Sequence, residues 1–295
     1  MKIAFIGLGD IGALMASHLA RDPFDLVVWN RTASKAEEFA RAHKISVAAT
    51  PADAVRDASV VITCLPSSVE VEAVLHGENG MLGSLIKGAV LIDCTSGDPP
   101  TSRSIAAELA ARGVDFIDAP VSGGTTAAKS GTLTVMWGGE MTVFERVRPA
   151  IEAFGKKIVH AGGIGAGDAI KAVNNALLAV HILSAAEGLA VLVKEGVDPK
   201  VALDVINASS GRSNSSENLI PQRVITRAFP RTFRLALLEK DIGIAAVMAD
   251  DLKVRTPLIS LTAERFHEAR ELLGEEADHV EAVKMVEREN GLEIK

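Results

Sequence analysis

The chain has 295 residues, enough for two domains and a large core. Hydrophobic residues make up 48% and charged residues 23%, the balance of a folded globular protein. The net charge of −7 argues against a general nucleic-acid binder and against adhesion to anionic membranes, while leaving room for a local basic pocket.

In chain order, β-branched runs predict strands at 2–6, 26–29, 60–64, 90–94 and 115–118. Helical periodicity lies between them at 11–20, 34–42 and 101–111. The alternation predicts an α/β fold of Rossmann type, a mostly parallel sheet with helices on both faces. Two more strands at 133–137 and 157–159 enclose a helix at 142–154. The glycine-rich stretch 162–167 is expected to be a hinge-like loop. After it only helix periodicity remains, at 168–195, 199–208, 213–227, 234–250, 257–273 and 277–289. The expected domains are therefore a dinucleotide-binding unit at 1–163 and an all-helical unit at 164–295. The tail 291–295 is expected to be loosely ordered.

Met1 to Gly7 is too short an apolar run for a signal peptide, and the apolar helix from 168 is broken by Lys171, Asn174, Asn175 and His181. No membrane span is expected. Cys64 and Cys94 each end a β-like run and are read as buried thiols, so a cytoplasmic setting fits. The seven histidines are scattered, with no H-E-x-x-H, and no metal site is expected.

Gly7-Leu8-Gly9-Asp10-Ile11-Gly12 follows a strand and opens a helix, the context G-x-G-x-x-G needs. Its glycines serve a tight turn, the approach of a pyrophosphate and close helix–strand packing. The helix N-terminus beyond them presents free N–H groups to that phosphate. The next strand ends in Asn30-Arg31-Thr32, with no acid to hold a ribose 2′-hydroxyl. Arg31 suits a 2′-phosphate instead, a contact of about 1.5–3 kcal/mol before solvent screening. The cofactor expected is NADP in preference to NAD; the plain alternative is an arginine on a solvated loop.

Asp118-Ala119-Pro120-Val121-Ser122-Gly123-Gly124 also leaves a strand, and its serine and paired glycines could hold a small carboxylate. By composition alone an ordinary strand-to-helix turn explains it equally well. Leu65-Pro66-Ser67 and Thr95-Ser96-Gly97 follow strand ends too, so these loops gather on the edge where open parallel sheets bind ligands. Lys171 is the only formally charged side chain from Ala169 to Ala186, and Asn175 lies four residues on, on the same helix face. A lysine desolvated in this way could act as acid and base. The alternative is a lysine that snorkels to solvent.

Together these motifs resemble the β-hydroxyacid dehydrogenase family, which includes 3-hydroxyisobutyrate dehydrogenase, tartronate semialdehyde reductase and the glyoxylate/succinic semialdehyde reductases. The resemblance runs nearly end to end. It rests on the 7–12 glycine loop with Met15-Ala16, on the 118–124 loop, on Gly165 through Asn175, and on Glu239-Lys240-Asp241-Ile242-Gly243. The resemblance implies hydride transfer between NADP(H) and a small β-hydroxy acid or its semialdehyde. It assigns Lys171 as catalytic acid/base with Asn175 as partner, and Ser122, Gly123, Gly124 and Thr95 as substrate contacts. The coenzyme set it implies is Gly7, Leu8, Gly9, Asp10, Ile11, Gly12, Asn30, Arg31, Thr32, Leu65, Pro66, Thr95 and Lys240. Thr95-Ser96 stands in swapped order relative to the family's Asp-x-Ser-Thr stretch, and Ser209 to Asn214 falls where members differ by substrate.

Two readings compete. A coenzyme-binding module without catalysis would be expected to lose Lys171, and an imine reductase on the same fold would carry another residue there. A long helix apolar on several sides predicts a homodimer or homotetramer.

Overall fold

The structure, a computed structural model, describes residues 1–295. The chain divides into two compact units, Met1–Lys171 and Ala172–Lys295.

The first unit is built on one mixed sheet. Strand β1 (Lys2–Ile6) pairs in parallel with β2 (Asp25–Trp29), and β2 with β3 (Ser46–Val47). On its other side β1 pairs with β4 (Val60–Thr63), followed by β5 (Val90–Asp93) and β6 (Asp115–Asp118), all parallel. Beyond β6 the direction reverses. Strand β8 (Leu133–Gly138) runs antiparallel to β6 and to the two-residue β7 (Val121–Ser122), and β9 (Gly155–Gly162) runs parallel to β8. The first six strands thus lie in the order 3-2-1-4-5-6 of a doubly wound dinucleotide fold.

Alternation along the strands splits the core between the two faces of the sheet. Ile3, Phe5, Ile62 and Ile92 belong to one cluster, with α1 (Gly12–Leu19), α2 (Ala33–His43), α6 (Gly124–Ser130) and α7 (Met141–Glu152). Ala4, Ile6, Val61 and Leu91 belong to the other, with α3 (Pro51–Val55), α4 (Ser68–His76) and α5 (Pro99–Ala110). Thr50, Ser67 and Asp98 cap α3, α4 and α5 by accepting a backbone N–H, and prolines open α3 and α5. The expected strands and long helices appear within about three residues of their places, except that the helix expected at 277–289 is a 3₁₀ turn at 279–282 followed by an α-helix at 283–290. The short β3, β7, α3 and α6 are not expected from periodicity, because a few residues give it no period to register; α4, nine residues long, is an addition that the sequence reading lacks.

The expected loop at 162–167 is shorter than its glycines suggest. Strand β9 continues through Gly162 and helix α8 (Ala166–Lys194) begins four residues later, so only three residues connect them. Gly165 is held by a hydrogen bond from its N–H to Asp118.

The second unit is helical. After the main length of α8 come α9 (Pro199–Asn207), a π-helix (Ser215–Val224), α10 (Leu235–Asp251), α11 (Pro257–Leu273), a 3₁₀ turn (His279–Ala282) and α12 (Val283–Asn290). The π-helix replaces part of the α-helix expected at 213–227. Pro221 lies inside it, and the Ile225 N–H reaches back five residues to the Ile220 carbonyl at 3.0 Å. Ala176, Ala179, Ile182 and Ala186 of α8 pack into the unit's core with Leu235, Leu238, Ile242 and Phe266. By length and composition alone α8 is long and apolar enough to cross a membrane, a test that a buried core helix also passes. Ile170, Val173, Leu177 and Val191 on it remain exposed.

The loosely ordered tail is also corrected. Ile294 is fully buried in the helical core, and its N–H donates to Glu287 Oε1 at 2.8 Å. Glu287 in turn is ion-paired with Arg227. One buried side chain and a backbone hydrogen bond outweigh the tail's terminal position.

Candidate active site

The glycine loop starts at the end of β1. Gly7 has φ +104°, and a Cβ there would stand 2.4 Å from the Cys64 carbonyl oxygen. A Cβ at Gly12 would meet the Gly7 carbonyl at 2.2 Å. Both positions therefore demand glycine for packing. Gly9 differs: a Cβ there would meet nothing within 4 Å. Its open side, beside a helix α1 with no side-chain N-cap, fits the close approach of a phosphate to donor N–H groups. Asn30 braces the loop, accepting the Leu8 N–H at 2.9 Å and donating to the Thr32 carbonyl at 3.1 Å. Arg31 beside it is exposed, as are Asp10 and Thr32.

The loops after β4 and β5 are tied to each other. The Thr95 hydroxyl accepts the Leu65 N–H at 3.1 Å, and Thr95 N–H donates to Asp93 Oδ1 at 3.0 Å. Thr95 is buried, so it braces these loops, while Leu65 is half-buried, Pro66 exposed and Ser96 half-buried. Asp93 also accepts the Thr63 hydroxyl at 2.8 Å. Burial pushes its carboxyl up to about 6 against those hydrogen bonds. Burial, with Asp93 nearby, pushes the Cys64 thiol up to about 12 and holds Cys94 high as well. Neither is a thiolate nucleophile at neutral pH.

Ser122 ends β7 opposite Thr134, half-buried. Gly123 and Gly124 follow with φ of +133° and +65°, both exposed, so their backbone is open to a ligand. A Cβ at Gly123 would stand 2.5 Å from that of Ala127. Upstream, Asp118 is fully buried and accepts two backbone N–H groups from the start of α8, Gly165 at 2.7 Å and Asp168 at 3.1 Å. Asp168 is buried as well and accepts the Ser102 hydroxyl at 2.6 Å. Burial raises both carboxyls, Asp168 furthest because Asp118 and Asp93 add like charge. Lys171 stands one turn along the same helix and is half-buried.

In the helical unit, Asn175 is buried and donates through Nδ2 to Asp241 Oδ2 at 2.5 Å. Lys240 Nζ lies 2.7 Å from Asp241 Oδ1. Asp241 is buried, so the pair is not the solvated surface pair that the Lys-Asp stretch alone suggests. Lys240 lines a groove of about 430 Å³ with Ala236, Glu239, Gly243, Ala263 and Arg270. Glu239 is paired with Arg270 at 2.5 Å and with His267 at 2.8 Å.

Two family profiles match this chain in succession. The NAD binding domain of 6-phosphogluconate dehydrogenase matches residues 2–163, and the NAD-binding domain of NADP-dependent 3-hydroxyisobutyrate dehydrogenase matches 165–286. The chain belongs to the β-hydroxyacid dehydrogenase family. Like other members it is an NAD(P)-binding oxidoreductase of hydroxy-acid type. The 2-(hydroxymethyl)glutarate dehydrogenase of Eubacterium barkeri is 35% identical across 100% of this chain and 97% of its own. The NAD-dependent L-serine dehydrogenase of Pseudomonas aeruginosa is 37% identical, covering 88% of this chain and 89% of its own. The 3-hydroxyisobutyrate dehydrogenase of Mycobacterium tuberculosis, solved with L-serine, superposes with a TM-score of 0.89 at 29% identity, over 97% of this chain and 98% of its own.

Four buried carboxylates in this β-hydroxyacid dehydrogenase, Asp93, Asp118, Asp168 and Asp241, carried no role in the sequence reading. A signal existed for two of them. Asp93 and Asp118 each end an apolar strand, where an acid is expensive to bury unless something donates to it.

Proposed function

We propose that this enzyme interconverts a small β-hydroxy acid and its semialdehyde with NADP(H), using Lys171 as general acid and base. The observation that carries the reading is the placement of Lys171: half-buried, one turn into α8, the only formally charged side chain between Ala169 and Ala186. When bound, the dinucleotide would supply the hydride acceptor or donor. Gly7, Leu8, Gly9, Asp10, Ile11 and Gly12 would hold its pyrophosphate, with Asn30, Arg31 and Thr32 toward the adenosine ribose. Leu65 and Pro66 would complete the coenzyme contacts of the first unit.

The protein's own part is positioning and proton movement. Ser122, Gly123 and Gly124 donate hydrogen bonds to the substrate carboxylate and fix its direction. In oxidation the neutral Lys171 amine takes the proton from the substrate hydroxyl; in reduction its ammonium returns it to the carbonyl oxygen. Asn175, which we take as the polar partner of Lys171, is held by Asp241 within the helical unit. The relatives' names include both a serine and a hydroxymethyl acid dehydrogenase, which supports a small hydroxy acid as substrate.

Turnover of Lys171→Ala tests the assignment, measured on a panel of 3-hydroxyisobutyrate, L-serine, 4-hydroxybutyrate, glycolate and glycerate with each coenzyme. General acid–base catalysis contributes roughly 10²–10⁴-fold, so kcat should fall by about that much on whichever acid is turned over. Activity retained within about threefold in a folded variant excludes Lys171 as the proton carrier, since it lies far below that range.

A further inference from the structure

We infer that Asp118 is a positioning residue, which fixes the first turn of α8 and with it the place of Lys171 relative to the Ser122–Gly124 loop. The inference rests on the reading of Lys171 as acid/base. Asp118 is the last residue of β6, and the 119–124 loop leaves directly from it. Its two oxygens take the N–H groups of Gly165 and Asp168, 47 and 50 residues away in the chain. One buried side chain therefore ties the strand that emits the carboxylate-binding loop to the helix that carries the lysine.

The packing around Asp118 is arranged for that strap. A Cβ at Gly138 would stand 2.6 Å from Asp118 Oδ1, and one at Gly167 would stand 2.8 Å from Oδ2 and 2.4 Å from the Met136 carbonyl. Gly165 takes φ +87°, which turns its N–H into the carboxylate at little steric cost. Glycine at 138 and 167 leaves the space the carboxylate occupies. A helix start usually takes its cap from the residue just before it. This one takes it from the end of a central strand.

A second tie supports the first. Ser102 on α5 donates to Asp168 Oδ2, and Asp168 is the residue whose N–H Asp118 holds. Lys171 follows three residues later, about 4.5 Å along the helix axis at about 1.5 Å rise per residue. Rotation or slippage of the first turn would carry the amine with it. Because a misplacement of about 1 Å can cost about 10²-fold in rate, the strap belongs to the geometry of the reaction as well as to stability.

Asp118→Asn tests this. The amide keeps the size of the carboxylate but can accept with only one atom, and its NH₂ faces one of the two backbone donors. We expect kcat to fall about 10- to 100-fold, with the coenzyme dissociation constant within about twofold of wild type and the pH profile of kcat displaced. A kcat within twofold of wild type and an unmoved profile, with or without a lowered melting temperature, would show a purely structural cap and overturn the inference. If Asp118→Asn does not fold, amide hydrogen exchange on the wild-type protein decides. Slow exchange at Gly165 and Asp168 supports the strap, and exchange as fast as at exposed Gly163 overturns it. Lys171→Ala measured alongside separates the two readings. If that variant stays active, the acid/base assignment fails whatever Asp118 does; if it is inactive while Asp118→Asn is unchanged, only the present inference fails.

Discussion

Arg31 shows how much one exposed side chain can decide. It follows β2 where a carboxylate would serve NAD, and nothing in the first unit neutralises that end of the strand with an acid. A guanidinium on a 2′-phosphate gives about 1.5–3 kcal/mol when desolvated, and solvent at this exposed site reduces the figure. For Arg31→Ser we expect kcat/KM with NADP to fall about tenfold while that with NAD changes by less than about threefold. A wild-type enzyme that prefers NAD tenfold would refute the assignment, and the relatives' names, which mention both coenzymes, make the measurement worth doing. At this scale, legibility in the sequence depended on chemistry that is local. Lys171 stood out because its neighbours in the chain are apolar. The hydrogen-bond donors Gly165 and Asp168 to Asp118, Ser102 to Asp168 and Asn175 to Asp241 lie 47 to 66 residues away, so no window of sequence could pair them.

The glycine loop makes its prediction at the scale of an element. Two of its glycines are needed by the fold, and the third, Gly9, is free of protein contact and is the one we propose a ligand needs. Gly12→Ala would drive a methyl against the Gly7 carbonyl, and such overpacking costs about 1–3 kcal/mol. Gly9→Ala meets no protein atom, so the melting temperature should stay within about 2 °C of wild type while the KM for coenzyme rises about tenfold or more. If Gly9→Ala binds coenzyme normally, the phosphate does not approach there. The strand–loop–helix context made this element legible from sequence, as it did the parallel strands, whose β-branched runs sit between clear turns. The π-helix was not legible. Its apolar spacing matches an α-helix, and Pro221 inside it, which has no N–H to give, marks an interruption without saying which hydrogen-bond step replaces it.

At the scale of the whole molecule, the two units bury their carboxylates with opposite consequences for pH. In the first unit Asp93 is raised from 3.8 to about 6 by burial, and Asp118 and Asp168 are raised in the same direction. A carboxyl raised on folding favours the native state at low pH, and that contribution is lost as pH rises from about 4 through about 6. For Asp93 alone the full effect is about 3 kcal/mol, of which roughly 1 kcal/mol separates pH 5 from pH 8. In the helical unit burial also pushes Asp278 up. The ion pair with His279 and the hydrogen bonds from Thr232, Phe233 and Val280 outweigh it and hold the carboxyl well below its usual range. That group stabilises the native state above about pH 4 and loses its contribution as pH falls further. Mild acid should therefore strengthen the first unit, while the contribution of the Asp278 carboxylate to the second is lost only below about pH 4. The protein supplies its own reporter, because its two tryptophans, Trp29 and Trp137, both lie in the first unit. Urea unfolding followed by tryptophan fluorescence should show a midpoint that rises from pH 8 to pH 5. In Asp93→Asn the fluorescence midpoint should depend less on pH, because one of the three raised carboxyls is gone. Equal pH slopes in the variant and the wild type would mean that Asp93 gives up its proton in the native and unfolded chains alike, and that its burial is compensated by donors other than Thr63 and Thr95.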